Sequence, residues 1–153
     1  MTPTGYRKVL AELKHHREVL RPQVVRDIEE ARAHGDISEN SEYEDAKERQ
    51  AHIEGRTIEL ESTLALADVI DIKKVKPSER IIFGTTVELE DSDTGESFQY
   101  RIVGTEEADV KAGLISYNSP IARALLGRTV GDEVRFDTPK GQRTVLINAV
   151  HYR

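Results

Sequence analysis

Two series of apolar residues flank Gly35, and their spacing constrains how the first half of the chain can fold. Before the glycine the series is Leu10, Leu13, Leu20, Val24, Ile28 and Ala31, interrupted by Arg17. After it come Tyr43, Ala46, Gln50, Ile53, Thr57, Leu60, Leu64 and Ala67, spaced alternately by three and four. Each series is the a/d seam of a coiled-coil helix. The intervening positions are rich in Glu, Lys, Arg and Ala, all good helix formers. Gly35 suits the residue just past a helix end, and Ser38 or Asn40 can cap the helix that follows. Two seams joined by a short polar turn predict an antiparallel α-helical coiled-coil hairpin. An arm of roughly 30 residues extends on the order of 45 Å at 1.5 Å per residue, longer than a compact domain requires. Pro22 lacks an N–H and clashes with the preceding turn, so it is expected to bend or break the first arm near the hairpin base. Gly55 lies mid-arm, where a close approach of the other helix would account for it.

The period changes after Lys76-Pro77-Ser78. Residues 81–90 and 97–103 read as strands around a turn at Asp91–Gly95. Ser119 and Pro120 open a short helix that runs to Leu126 and closes at Gly127. Residues 133–136 and 143–150 flank a second hairpin turn at Thr138–Gly141. The chain is therefore α+β with two domains: the hairpin over residues 1–75, its acidic turn near 35–44, and a mostly antiparallel sheet with a short helix over 76–153. Val110, Leu114, Ile115 and the helix at 120–126 supply either core or a docking surface.

The composition excludes several functions. A net charge of −6 argues against binding nucleic acid by broad phosphate neutralisation, which needs clustered Lys and Arg. With no cysteine, thiolate chemistry, disulfides and Cys-based zinc sites are impossible. No window holds the roughly 18 apolar residues of a membrane span, and the first twenty residues lack a signal-peptide core. A soluble, cytoplasmic protein is expected. Walker, dinucleotide-binding and HExxH patterns are missing. His15 and His16 are adjacent, so they diverge by about 100° on a helix and read as solvated residues, as do His34, His52 and His151.

The turn itself, GDISENSEYE, gathers four carboxylates (Asp36, Glu39, Glu42 and Glu44) without a positive charge. Two explanations stand side by side. Acids in a first helical turn favour the positive end of the macrodipole, and Ser41 with Glu44 has capping-box spacing. Alternatively Asp36 and Glu39, three apart, project together as oxygen ligands. The segment imitates half an EF-hand loop but has Ser41 and Lys47 where Gly and Glu are required. Two carboxylates alone hold Mg²⁺ weakly, since its octahedral shell needs further ligands, so a ligand pair here makes sense only where another macromolecule completes the site.

The run from Ala31 to Tyr43, ARAHGDISENSEY, resembles the tip of the bacterial Gre transcript-cleavage factors. The likeness continues through Glu54-Gly55-Arg56, Val69-Ile70-Asp71, Ile82-Phe83-Gly84, residues 100–104, Leu114-Ile115-Ser116 and residues 119–127, nearly the whole chain in order. It implies a C-terminal domain of FKBP-like fold that docks at the rim of the RNA polymerase secondary channel, while the coiled-coil hairpin enters the channel. It also implies a monomer that is not an enzyme alone. Such a factor activates the polymerase's own cleavage of backtracked nascent RNA and so rescues arrested complexes. Carried over by position, the catalytic and metal-binding acids are Asp36 and Glu39, sharing Mg²⁺ with the bacterial RNA polymerase. Tyr43, Arg32, Lys47, Arg49 and Arg56 are the candidates for contact with RNA or polymerase. These cations are interspersed with acids, and a weak patch suits short extruded RNA. Presence of both tip acids argues against a homologue that occupies the channel without cleavage. A coiled-coil adaptor with a merely solvated tip is the remaining rival.

Overall fold

The computed structural model describes residues 1–34 and 40–153. The chain forms two compact units, Tyr6–Ala67 and a second made of Met1–Gly5 with Asp68–Arg153.

The first unit is the helical hairpin. α1 (Pro3–His15) passes through a π-helical turn (His16–Leu20) into α2 (Arg21–His34), and α3 (Asn40–Leu66) packs along α2. Every member of the second apolar series is buried or half-buried, with Ala46, Thr57 and Leu60 at 1% exposure or less. Thr57 sits in this seam without stranding its hydroxyl, which donates to the Ile53 carbonyl at 2.7 Å.

The first series departs from expectation at two places, and both trace to Pro22. The proline does not break the arm. The turn before it is wound wide, with the Arg21 N–H bonding back to the His16 carbonyl, and the imidazole Nδ1 of His16 donates to the Glu12 carbonyl at 3.0 Å. Such π turns house one extra residue within an otherwise continuous helix. That residue rotates the upstream face by about 100°, so Val9 is buried while Leu10 is 47% exposed. Gly55 also differs from expectation. A Cβ placed on it would meet nothing within 4 Å, so no neighbouring backbone requires the glycine.

The second unit holds a five-stranded sheet in the order β3-β2-β1-β5-β4, from β1 (Thr86–Asp91), β2 (Ser97–Val103), β3 (Leu114–Ser116), β4 (Glu133–Thr138) and β5 (Gly141–His151). All neighbours are antiparallel except β2 and β3, which run parallel. The first strand starts five residues later than its composition predicts. Gly84 has φ +90°, a conformation that L residues avoid, and the chain turns there before pairing begins at Thr86. α4 (Pro120–Leu125) is capped by the Ser119 hydroxyl, which accepts from the Ala122 N–H at 3.3 Å. It lays Ala122 and Leu125 onto the sheet face formed by Val87, Leu89, Ile102, Val134, Val145 and Ile147. Ile115 joins this core, whereas Val110 is 68% exposed.

The sequence drew its boundary at 75/76; by compactness the second unit takes up residues from 68 onward. The cause is Ile72, which is 2% exposed and lies 3.2 Å from the position a Gly84 Cβ would take. Asp71 caps the 3₁₀ turn Ile72–Lys74 that carries it.

Candidate functional site

The hairpin end is the place where the sequence concentrates chemistry. Asp36 and Glu39 themselves lie outside the described residues, so the structure speaks to what flanks them. α2 ends at His34 and α3 begins at Asn40. Both acids thus fall, in sequence, between the last residue of α2 and the first of α3. α3 alone, at 27 residues, is about 40 Å long.

Beside this end a groove of about 390 Å³ is lined by Asp27, Glu30, Ala31, Glu42, Asp45 and Arg49. Four carboxylates and one guanidinium thus line it. Arg49 donates to Asp27 at 3.1 Å, which together with the Gln23 amide holds the Asp27 carboxyl below its usual range. Among the described residues no group of three or more His, Asp or Glu side chains converges to hold a metal ion. The acids stay spread along the groove.

The other candidates are dispersed. Tyr43 is half-buried on the seam face of α3, one turn before Ala46. Arg32 and Lys47 are exposed, and the Lys47 ammonium reaches the Gln50 amide at 3.3 Å. Lys47 and Arg49, two positions apart on a helix, point about 200° from each other. Arg56 is engaged by carboxylates on both sides, bidentate to Glu12 at 2.9 and 3.2 Å and paired with Glu59 at 3.1 Å. The Arg56 hydrogen bonds are the leading cause of the lowered Glu12 pKa, with burial working in the opposite direction. The five candidates therefore do not make one positive patch.

Sequence reasoning missed a ladder of ion pairs along the hairpin. Arg17 meets Glu61 at 2.5 Å and Arg21 grips Glu54 bidentately at 2.6 and 2.9 Å; the Arg49–Asp27 contact is nearest the end. Each of these three pairs is nearly symmetric about the middle of the 35–39 connection. That symmetry was available once the turn was placed, because an antiparallel hairpin brings equidistant residues together. Exposed pairs contribute little stability singly, but three rungs and the Arg56 fork disfavour a slip of one arm along the other.

In the second unit Asp91 is 6% exposed and accepts from the backbone N–H groups of Asp93 and Thr94 at 2.8 and 3.1 Å, and from Arg143 at 2.9 and 3.2 Å. The backbone donors first, then Arg143, lower its pKa. Arg143 also lies over the Phe98 ring, 5.3 Å from its centroid. This cluster closes the β1–β2 turn. It ties the turn to β5, since Asp91 accepts from both the turn backbone and Arg143.

Comparison with known proteins matches both units. Residues 1–69 fit the family model described as "Transcription elongation factor, N-terminal", and residues 76–152 fit "Transcription elongation factor, GreA/GreB, C-term". The chain is 49% identical over 152 residues to the transcription elongation factor GreA of Xanthomonas axonopodis pv. citri, covering 99% of this chain and 96% of that protein. It is likewise 49% identical to GreA of Anaeromyxobacter sp. strain K, covering 99% and 91%. Among solved structures, the Thermus thermophilus GreA factor homolog 1 (Gfh1) is 35% identical, covers 99% of this chain and 97% of that one, and superposes with a TM-score of 0.45.

Proposed function

The chain belongs to the GreA/GreB family of transcription elongation factors, and from that premise we propose that it stimulates the Mg²⁺-dependent cleavage of backtracked nascent RNA by bacterial RNA polymerase. The observation that carries this reading is the hairpin: two long packed helices with Asp36 and Glu39 on the connection between them. In this reading the hairpin enters the polymerase secondary channel and brings the two acids to the active centre, while the sheet unit docks outside. The chain has no catalytic activity alone.

The donor set fits the metal in kind but not in number. Carboxylate oxygens are the hard ligands Mg²⁺ prefers, yet two leave an octahedral shell unfilled. Asp36 and Glu39 would therefore hold Mg²⁺ jointly with the polymerase. When bound there, the ion supplies charge stabilisation and activation of the attacking water in phosphodiester hydrolysis. The chain's part is to carry its two acids forward on a stiff arm, with the ion-pair ladder fixing how far the end reaches. Because Arg49 and Arg56 are already engaged by Asp27, Glu12 and Glu59, the arm offers extruded RNA little positive charge, which suits short extruded segments.

The test is a backtracked elongation complex assembled in vitro with Mg²⁺. Wild-type chain should accelerate cleavage. Asp36→Ala and Glu39→Ala should each reduce it by at least about 100-fold, the upper end of what losing even an outer-shell metal partner costs, while still competing with the wild type for polymerase. Full activity in both variants sinks the ligand role. Blocked elongation without any cleavage would instead identify an inhibitor built on the same fold.

A further inference from the structure

One cation of the sheet unit has no counter-charge where its burial calls for one. Among the described residues of that unit, Arg101 and Arg143 are half-buried, while the remaining Lys and Arg side chains are exposed. Arg143 is compensated: it donates to Asp91 at 2.9 and 3.2 Å and lies over the Phe98 ring. Arg101 is not. Its Nε is buried and makes no hydrogen bond, and no carboxylate pairs with its guanidinium among the described residues. An ionised donor withdrawn from water without an acceptor destabilises a fold, and native chains leave few such groups.

The strand register explains why. Arg101 on β2, Thr86 on β1 and His151 on β5 form one row across three adjacent strands. They stand on the sheet surface opposite α4, because Val87, Ile102 and Val150, next to them in sequence, pack into the core that α4 covers. Glu88 lies two residues along β1 on the same surface, diagonal to both Arg101 and His151 and so within reach of either. It goes to His151: its Oε1 lies 3.3 Å from the imidazole Nε2. On the other flank of Arg101, β3 presents the apolar Leu114. The acid that the register offers is thus taken by the far side of the row, and the guanidinium is left over.

We propose that the sheet unit docks on RNA polymerase through this surface, and that the polymerase supplies a side-chain carboxylate to Arg101. This rests on the reading above, in which the sheet unit docks outside the channel, and it names the surface and the chemistry of that contact. A protein carboxylate fits better than a nucleic-acid phosphate. The same surface carries Glu88, Glu90, Glu133 and Asp137 against Arg101 and Arg135. A backbone charged at every residue meets net repulsion there, whereas one carboxylate can be placed on Arg101 alone. The planar guanidinium also matches a carboxylate through two parallel N–H donors. On docking, the buried Nε gains its acceptor, so a group that costs stability in the free chain contributes affinity in the complex. Stability and affinity should therefore respond to Arg101 in opposite directions.

The experiment uses the full chain as Arg101→Met and Arg101→Lys. Each is measured by urea unfolding, by binding to RNA polymerase free of nucleic acid, and by titration into backtracked complexes with Mg²⁺. Arg101→Met should keep or raise the urea midpoint, bind polymerase about 10- to 100-fold more weakly, and lose part of the salt sensitivity of the wild type. Arg101→Lys should bind with intermediate affinity, since it keeps the charge but not the fork. In the cleavage assay the factor concentration for half-maximal stimulation should rise by the same factor, with the rate at saturation unchanged. A lowered urea midpoint in Arg101→Met overturns the proposal, because it makes the guanidinium a structural group. Wild-type affinity in Arg101→Met, or an Arg101→Lys no better than Arg101→Met, overturns it as well. A loss of affinity that appears only with nascent RNA present assigns a phosphate to Arg101 and overturns the carboxylate. A wild type that binds no polymerase removes the docking reading and this one with it.

Discussion

Replacing Gly55 by alanine is expected to stabilise the hairpin, against the usual direction of a random substitution. Glycine inside a helix is about 0.8–1.0 kcal/mol less favourable than alanine, since its unfolded chain has more freedom to lose. Three structural facts keep that gain from being offset. Gly55 lies well inside α3, it is exposed, and an added Cβ meets nothing within 4 Å. The full gain of about 1 kcal/mol should therefore appear. If the hairpin unit, Tyr6–Ala67, melts by itself, this raises its midpoint by about 4–8 °C; if the whole chain melts as one, by about 2–4 °C. Thermal melts followed by helical circular dichroism, with urea titrations for the free energy, measure it. Gly127→Ala is the matched control. A Cβ there also enters open space, but Gly127 has φ +84°, where an L residue costs roughly 1–2 kcal/mol, so this variant should lose stability. A neutral or destabilising Gly55→Ala would refute the reasoning. Stabilisation together with a loss of cleavage stimulation would instead assign the vacant space to a partner in the complex.

Two further outcomes follow from the packing and the charges. Leu60→Ala removes a side chain with no exposed surface from the seam and should cost about 2–5 kcal/mol, seen as a lowered urea midpoint of the helical signal. Acid should unfold the chain in a way traceable to named pairs. Glu12, Asp27 and Asp91 all have carboxyls held below their ordinary values of 4.5, 3.8 and 3.8. Groups lowered in the folded state add stability that is complete above those values and is lost as pH falls through the folded pKa. Urea midpoints should therefore be flat from pH 7 to about 5 and drop below about 4, with a shallower drop in Glu12→Gln; an equal drop in that variant would remove Glu12 from the account.

How much of this was legible in the sequence depends on the range of the forces involved. The second seam reads correctly because nothing interrupts α3, so local spacing and burial agree from Tyr43 to Leu64. The first seam misplaces its upstream end, because Pro22 is accommodated by a wider turn that the spacing rule does not contain. β2 coincides with its predicted limits, Ser97 to Val103, while β1 begins late because composition favours a strand at Ile81–Phe83 and the backbone at Gly84 forbids it. Both signals were present, and the steric one won. The hydrogen bond from the Thr2 N–H to the Glu107 carboxylate had no signal at all. Its partners lie 105 positions apart, and only the tertiary fold brings them together. For the site, the sequence pointed to a pair of acids at the end of an arm. The engagement of Arg49 and Arg56 by carboxylates needed the register of the two helices, which no single position reveals.

The π turn at His16–Leu20 has a further meaning once both ends of the first arm are considered. One end of that arm must bury Val9 and Leu13; the other must bury Val24, Ile28 and Ala31. These are two demands on the rotational phase of a single rod, and a uniform helix meets both only by coincidence of length. The surplus residue is a phase adjuster. It advances one end against the other by about 100° without interrupting the rod. Deleting one residue there would leave two intact faces that no longer fit their partners at the same time.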